Sequence, residues 1–268
     1  MRLKYNELLR QNMYLIKNIS IIISLSLLIN ISCQSQVNEH KTTEAETVTH
    51  KEVKKVYNPK DLKIISEFID TLRLYHYQYQ IENFRKDDSL HPNRKTDIVF
   101  SGSSSIRKWE SLSDDFSEYK VLNRGFGGSS VPEAIYYSEV LFLKHKPAKI
   151  VFYSGDNDIA FLRSSTDKII KSYKYLFNIF NSELPNTKIY ILSVKPSPAR
   201  WKFWPQMQEI NKQLKSLCDT NLYIYIDVSS CLLDTSGKPK KELFAKDGVH
   251  MNKKGYELWA KIILDAIK

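Results

Sequence analysis

Asp97-Ile-Val-Phe-Ser-Gly-Ser-Ser-Ser-Ile106 is the stretch on which the fold turns. Three residues of strand type, Ile98, Val99 and Phe100, break abruptly into a glycine and a cluster of serines. A β-branched and aromatic run ending in small residues is the pattern of a buried strand reaching the edge of a sheet, where ligands of open α/β folds bind. A strand followed by a Gly/Ser turn is also an ordinary turn, so the stretch assigns no chemistry by itself.

Downstream, strand-like and helix-like segments alternate to the end of the chain. The expected strands are Ile98–Phe100, Lys120–Leu122, Ile150–Tyr153, Ile189–Ser193 and Leu222–Ile226. Helical spacing runs through Pro132–Leu143, Asp167–Phe180, Pro205–Leu217 and Lys253–Ile267. Strands separated by helices predict a parallel sheet covered on both faces, a three-layer α/β/α sandwich with five strands over about residues 57–268. Upstream, Leu62, Ile65, Phe68, Ile69 and Leu72 recur at helical spacing from Pro59 onward, and the helix can run on through Tyr75–Tyr79. This extension, residues 57–95, ends in a linker around His91-Pro92-Asn93 and reads as a packing element without chemistry.

The first 56 residues read differently. A basic region to Lys17 and an apolar run from Ile19 to Ile31, ending at Ser32-Cys33, look like an export signal over residues 1–32. The run is shorter than the roughly 20 apolar residues of a membrane span. A cysteine directly after the apolar core resembles the lipobox of bacterial lipoproteins, which makes Cys33 the expected lipidation site and the cell envelope the expected location. Asn30 departs from that pattern, which leaves ordinary cleavage or an uncleaved anchor open. Residues 33–56 lack aromatic and periodic apolar positions and read as a flexible tether. Cleavage after residue 32 removes Arg2, Lys4, Arg10, Lys17 and Glu7, so the formal charge of +10 falls by 3 to +7. The basic residues are scattered among 30 acidic ones without a block interleaved with aromatics, which argues against nucleic acid as a partner. Beyond Cys33 only Cys218 and Cys231 remain, a pair that bridges only if geometry allows. No Cys or His spacing suits a metal, and no cofactor is expected.

With eight glycines in the chain, their positions are informative. Six fall in four loops: Gly102 after the first strand, Gly125, Gly127 and Gly128 after the second, Gly155 after the third, and Gly248 beside His250. Loops at the C-terminal ends of parallel strands meet along one sheet edge, so Ser104, Gly128 and Asn157 can be neighbours. Asn123–Ser129 lacks the G-x-G-x-x-G spacing of a dinucleotide fingerprint. A glycine there can instead present a backbone N–H to a reacting oxygen, and Asn157 a side-chain amide, although both segments also suit plain turns. Asp247 and His250, three apart, can place a carboxylate on one imidazole nitrogen and leave the other facing outward. Of the other histidines, His40 and His50 lie in the tether, His76 in the packing helix, His91 in a linker and His145 near a helix C-terminus that favours a cation. Ser, Asp and His in this order form a workable nucleophile, orienter and base. The G-x-S-x-G elbow of α/β-hydrolases is absent, since Ile106 stands where its second glycine belongs.

Together the four loops resemble the SGNH hydrolases, or GDSL esterase/lipase family. Gly102-Ser103-Ser104 looks like the first block, Gly128 the second, Gly155-Asp156-Asn157-Asp158 the G-x-N-D block, and Asp247-Gly-Val-His250 the D-x-x-H block. The resemblance spans residues 95–268 and implies a flavodoxin-like fold. It also implies a nucleophile at Ser104, a base at His250, an orienting carboxylate at Asp247, and an oxyanion hole of the Ser104 and Gly128 N–H groups with the Asn157 amide. Ser103 replaces the family's usual Asp after the first glycine, and Ser103 and Ser105 are rival nucleophiles. The implied activity is ester hydrolysis, with deacetylation of carbohydrate the expected reaction at an exported enzyme. Short-chain lipase or lysophospholipase activity is the alternative, and a non-catalytic envelope binding protein the alternative of another class. Trp201 and Trp204, in the loop after the fourth strand, can form a stacking platform for a sugar ring, a wall for an acyl chain, or packing of that loop onto the domain.

Overall fold

The computed structural model describes residues 71–268 apart from residue 219. The expectations for the signal segment, Cys33, the tether and the start of the first helix therefore lie outside the described residues. Among those described, no helix is long and apolar enough to cross a membrane.

Five strands, β1 (Ile98–Gly102), β2 (Val121–Gly125), β3 (Lys149–Tyr153), β4 (Lys188–Leu192) and β5 (Tyr223–Ile226), form one parallel sheet in the order β2-β1-β3-β4-β5. This is the flavodoxin-like order, and its switch point falls between β1 and β3, where ligand crevices form at the C-terminal strand ends. Alternation along each strand builds two cores. Val99, Ile150, Phe152, Ile189 and Ile191 face one side. Ile98, Phe100, Val151, Tyr153, Tyr190 and Leu192 face the other.

The first face is covered by α1 (Thr71–Leu90), α4 (Val131–Tyr136), α5 (Ser138–Leu141), α7 (Thr166–Glu183) and α8 (Trp204–Leu217). The second is covered by the segment with short helices α2 (Ser104–Arg107) and α3 (Leu112–Asp115), and by α9 (Lys253–Ile267). On that side Trp109 stacks on Tyr256 at 5.1 Å and meets Trp259 edge-on at 6.1 Å. Each such fully buried side chain contributes about 1.5–3 kcal/mol relative to exposure.

Several elements differ from the expectation. Strand β2 extends through Gly125, which pairs with Gly102, so Asn123-Arg124 are strand residues rather than loop. The expected helix over 132–143 starts one residue earlier, at Val131, where Ser130 and Glu133 form a capping box, and it breaks at Tyr137. A short helix, α6 (Asp156–Ala160), follows β3 directly. The His145 side chain is 8 % exposed, and desolvation, only partly offset by Asp88, holds its pKa below the ordinary value, the reverse of a solvated cation. Cys218 and Cys231 are both free thiols.

Helix α1 is tied to β2. Arg124, its side chain 3 % exposed, reaches Asp87 at 3.0 Å and also bonds Asp88. Asp87 is further held by Arg94 through two contacts of 2.6 Å. The Tyr137 hydroxyl donates to the Leu74 carbonyl at 2.9 Å.

Candidate active site

The two central strands end in loops that the backbone fits only with glycine. Gly102 has φ +127°, and a Cβ there would lie 1.8 Å from the Tyr153 carbonyl oxygen. The close approach lets the Ser103 N–H donate to that carbonyl at 3.0 Å, which locks the turn after β1 against β3. The chain then enters α2 with Ser104 at its first residue, half-buried, while Ser103 and Ser105 are each 1 % exposed. The Tyr256 hydroxyl of α9 donates to the Ser105 carbonyl at 2.9 Å and fixes the other end of the turn.

His250 arrives from the loop before α9. Its Nε2 lies 2.8 Å from Ser104 Oγ and its Nδ1 2.6 Å from Asp247 Oδ2. Asp247 Oδ1 also accepts from the backbone N–H groups of Val249 and His250, both at 2.9 Å. With Nδ1–H donating to Asp247, Nε2 is left to accept from the serine hydroxyl. The Asp247 carboxyl is held well below the usual carboxylate range. Partial desolvation alone would raise it, but bonds from the His250 ring and the two backbone N–H groups outweigh that. The loop is independently closed by Asn252, which caps α9 by accepting from Gly255 N–H at 3.3 Å.

Asn157 is 2 % exposed in α6, at the C-terminal end of the neighbouring strand β3, and its Nδ2 donates to the Ser129 carbonyl at 2.8 Å. An amide nitrogen has two hydrogens, so this tie uses one and leaves one. Gly128, φ +83°, belongs to the adjoining loop. Beneath them Asp158 is buried, accepting from Val131 N–H at 3.1 Å and Ser154 Oγ at 3.4 Å. Burial first, and nearby Glu133 next, push its carboxyl up to about 7.

Two lysines without a sequence signal, Lys108 and Lys195, lie beside His250 and its neighbour Val249. Lys108 Nζ stands 3.1 Å from His250 Nδ1 and 3.8 Å from Asp247 Oδ2. Lys195 is fully buried, donates to the Val249 carbonyl at 2.7 Å and lies 3.8 Å from Asp156 Oδ2, which Arg200 also contacts at 2.7 Å. Burial pulls the Lys195 ammonium down to about 8, against the opposing pull of Asp156. Desolvation lowers the His250 pKa, Asp247 raises it, and Lys108 and Lys195 lower it again. A base with lowered pKa stays neutral to more acidic pH. Lys108→Met is therefore expected to move the acid limb of the kcat/KM profile to higher pH. Since Lys108 is exposed, the shift should shrink with added salt. An unmoved limb at low salt would remove Lys108 from the electrostatics of the site.

Lys195, three residues beyond the end of β4 at Leu192, carries no sequence signal of burial, since a lysine in a loop after a strand is ordinarily solvated. The tryptophans resolve toward packing. Trp204 is 8 % exposed, Trp201 stacks on it at 6.0 Å, and Lys238 sits 5.0 Å over the Trp201 ring. Among the described residues no group of His, Cys, Asp and Glu is arranged to hold a metal.

The sequence pattern of the GDSL-like Lipase/Acylhydrolase family matches residues 98–258. No curated protein sequence matches the chain closely enough to count as a relative. Among solved structures, one described as a candidate platelet activating factor from Streptococcus pneumonia superposes with a TM-score of 0.64 at 20% identity. It covers 79% of this chain and 100% of that one. A candidate acylhydrolase from Bacteroides fragilis gives 0.60 at 22% identity, covering 74% and 97%. A mutant acetyl-xylooligosaccharide esterase from Geobacillus Stearmophilus gives 0.52 at 15% identity, covering 64% and 94%. These likenesses concern the fold. The match over 98–258, more than half of the chain, decides the family: the chain belongs to the GDSL-like lipase/acylhydrolases and is an ester hydrolase.

Proposed function

We propose that this hydrolase is a serine esterase that removes short acyl groups, acetyl above all, from carbohydrate. The observation that carries the serine chemistry is the continuous set of contacts from Asp247 through His250 to Ser104, at 2.6 and 2.8 Å. In the first half-reaction Ser104 Oγ attacks the ester carbonyl carbon as its proton passes to His250 Nε2. Asp247 stabilises the resulting imidazolium, which then protonates the departing alcohol. In the second, water attacks the acyl carbon as His250 takes its proton, and the imidazolium then returns that proton to Ser104 Oγ as the C–Oγ bond breaks and the carboxylic acid leaves. The N–H groups of Ser104 and Gly128 and the second Asn157 hydrogen hold the oxyanion, each donor contributing about 3 to 4 kcal/mol to the transition state.

The carbohydrate part of the reading rests on two supports. A similar fold is described as an acetyl-xylooligosaccharide esterase. The N-terminal sequence through Cys33 has the form of an export signal with a lipidation site, which would anchor the enzyme in the envelope facing polymeric substrates. The deciding experiment is hydrolysis of acetylated xylo-oligosaccharides, p-nitrophenyl esters of rising chain length, and phospholipids. Acetylated sugars and p-nitrophenyl acetate are expected to be the best substrates, with kcat/KM falling as the acyl chain lengthens. A preference for long acyl chains or phospholipid would replace the carbohydrate reading with a lipolytic one.

A further inference from the structure

Helix α1 lies upstream of the matched span 98–258, yet two of its side chains reach the loop that carries Gly128. The Tyr77 hydroxyl donates to the Gly128 carbonyl at 2.9 Å. Gln80 Oε1 accepts from the Gly127 N–H at 2.8 Å. Tyr77 is 2 % exposed, and its ring meets Phe126 edge-on at 5.3 Å, so the hydroxyl is held in place by packing.

The two contacts act on particular peptide planes. The Gly127 N–H belongs to the plane joining Phe126 to Gly127, and the Gly128 carbonyl to the plane joining Gly128 to Ser129. Between them lies the plane of the Gly128 N–H, an assigned oxyanion donor. Its orientation is set by the backbone angles of two consecutive glycines, which have the widest conformational freedom of any residue. The rest of the loop is already fixed. Asn123 Oδ1 accepts from Gly125 N–H at 2.9 Å, and the Ser129 hydroxyl donates to the Phe126 carbonyl at 2.9 Å. Between those contacts lies the glycine pair, and that pair is where α1 attaches.

We propose that Tyr77 and Gln80 are positioning residues that set the Gly127–Gly128 peptide for oxyanion stabilisation, making the N-terminal helix part of the catalytic apparatus. The proposal rests on the reading of Gly128 as an oxyanion donor. A clamp of this kind acts on the transition state and leaves substrate binding nearly untouched, so its loss should appear in kcat.

The test uses the full-length chain and p-nitrophenyl acetate, with Tyr77→Phe, Gln80→Met and Gln80→Glu. Phe removes only the hydroxyl, Met removes the acceptor at similar volume, and Glu restores an acceptor. Tyr77→Phe and Gln80→Met are expected to lower kcat roughly tenfold each, because small misplacements of a catalytic group are costly. KM should stay within about twofold, as expected when only transition-state contacts are lost. Melting temperatures should stay near that of the parent, and Gln80→Glu should recover most of the rate. Parental kcat in both Tyr77→Phe and Gln80→Met, with Ser104→Ala inactive, would overturn the positioning role while leaving the esterase reading in place. A rate loss that tracks a fall in melting temperature, without recovery in Gln80→Glu, would overturn it in favour of a purely structural helix. Absence of ester hydrolysis in the parent would overturn both readings together.

Discussion

Ser104→Ala is expected to yield a folded protein whose kcat on p-nitrophenyl acetate is lower by roughly four to six orders of magnitude. The size follows from the chemistry: without an oxygen nucleophile no acyl-enzyme forms, and what remains is the oxyanion hole acting on water. The fold should survive because Ser104 is half-buried at the start of a short helix, and among the described residues its hydroxyl has the single side-chain partner His250 Nε2. Parallel kinetics, thermal melting and labelling by a fluorophosphonate probe check all parts at once. Parental turnover in this variant would pass the nucleophile role to another residue. Ser103 and Ser105, both 1 % exposed, are poorly placed to take it.

Asn157→Ala is expected to lower kcat by roughly 100-fold or more, the typical loss for one oxyanion donor. The same nitrogen also ties α6 to the Ser129 carbonyl, so the substitution removes a neutral buried hydrogen bond as well. That second loss costs about 1 kcal/mol of stability and should show as a modest drop in melting temperature. Kinetics below the melting transition separate the two effects, since only the oxyanion contribution lowers kcat in the folded enzyme. An unchanged kcat would exclude Asn157 from the hole.

Much of this arrangement was legible in the sequence because local patterns and global topology agree. Buried parallel strands read as short apolar runs, and their C-terminal ends are marked by small residues. Four glycine-bearing loops could therefore be placed on one edge before any coordinates. The groups that escaped notice share a physical reason. Lys108, Lys195, Tyr77 and Gln80 act through contacts over 142, 54, 51 and 47 residues of separation, and their residue types are ordinary for exposed helix or loop positions. A lysine buried against the Val249 carbonyl looks, in sequence, like any lysine. His145 misled for the same reason: its helix terminus suggested a cation, and only packing against α1 shows that it is desolvated. Helix α1 read as a packing element without chemistry, since tyrosines that pack in a core and tyrosines that hold a loop have the same periodicity.

The contact between Ser104 and His250 bridges 146 residues. The proposed nucleophile and base therefore stand near opposite ends of the domain in order of synthesis, brought together by a sheet whose last strand, β5, and last helix, α9, come late in the chain. A folding state that has yet to dock α9 lacks the Tyr256 bond to the serine turn, and the loop carrying His250 immediately precedes that helix. Long-range closure of this sort comes late in folding, after its entropy cost has been met by the surrounding sheet. With the roles proposed for Ser104 and His250, hydrolytic activity requires completion of the fold through α9.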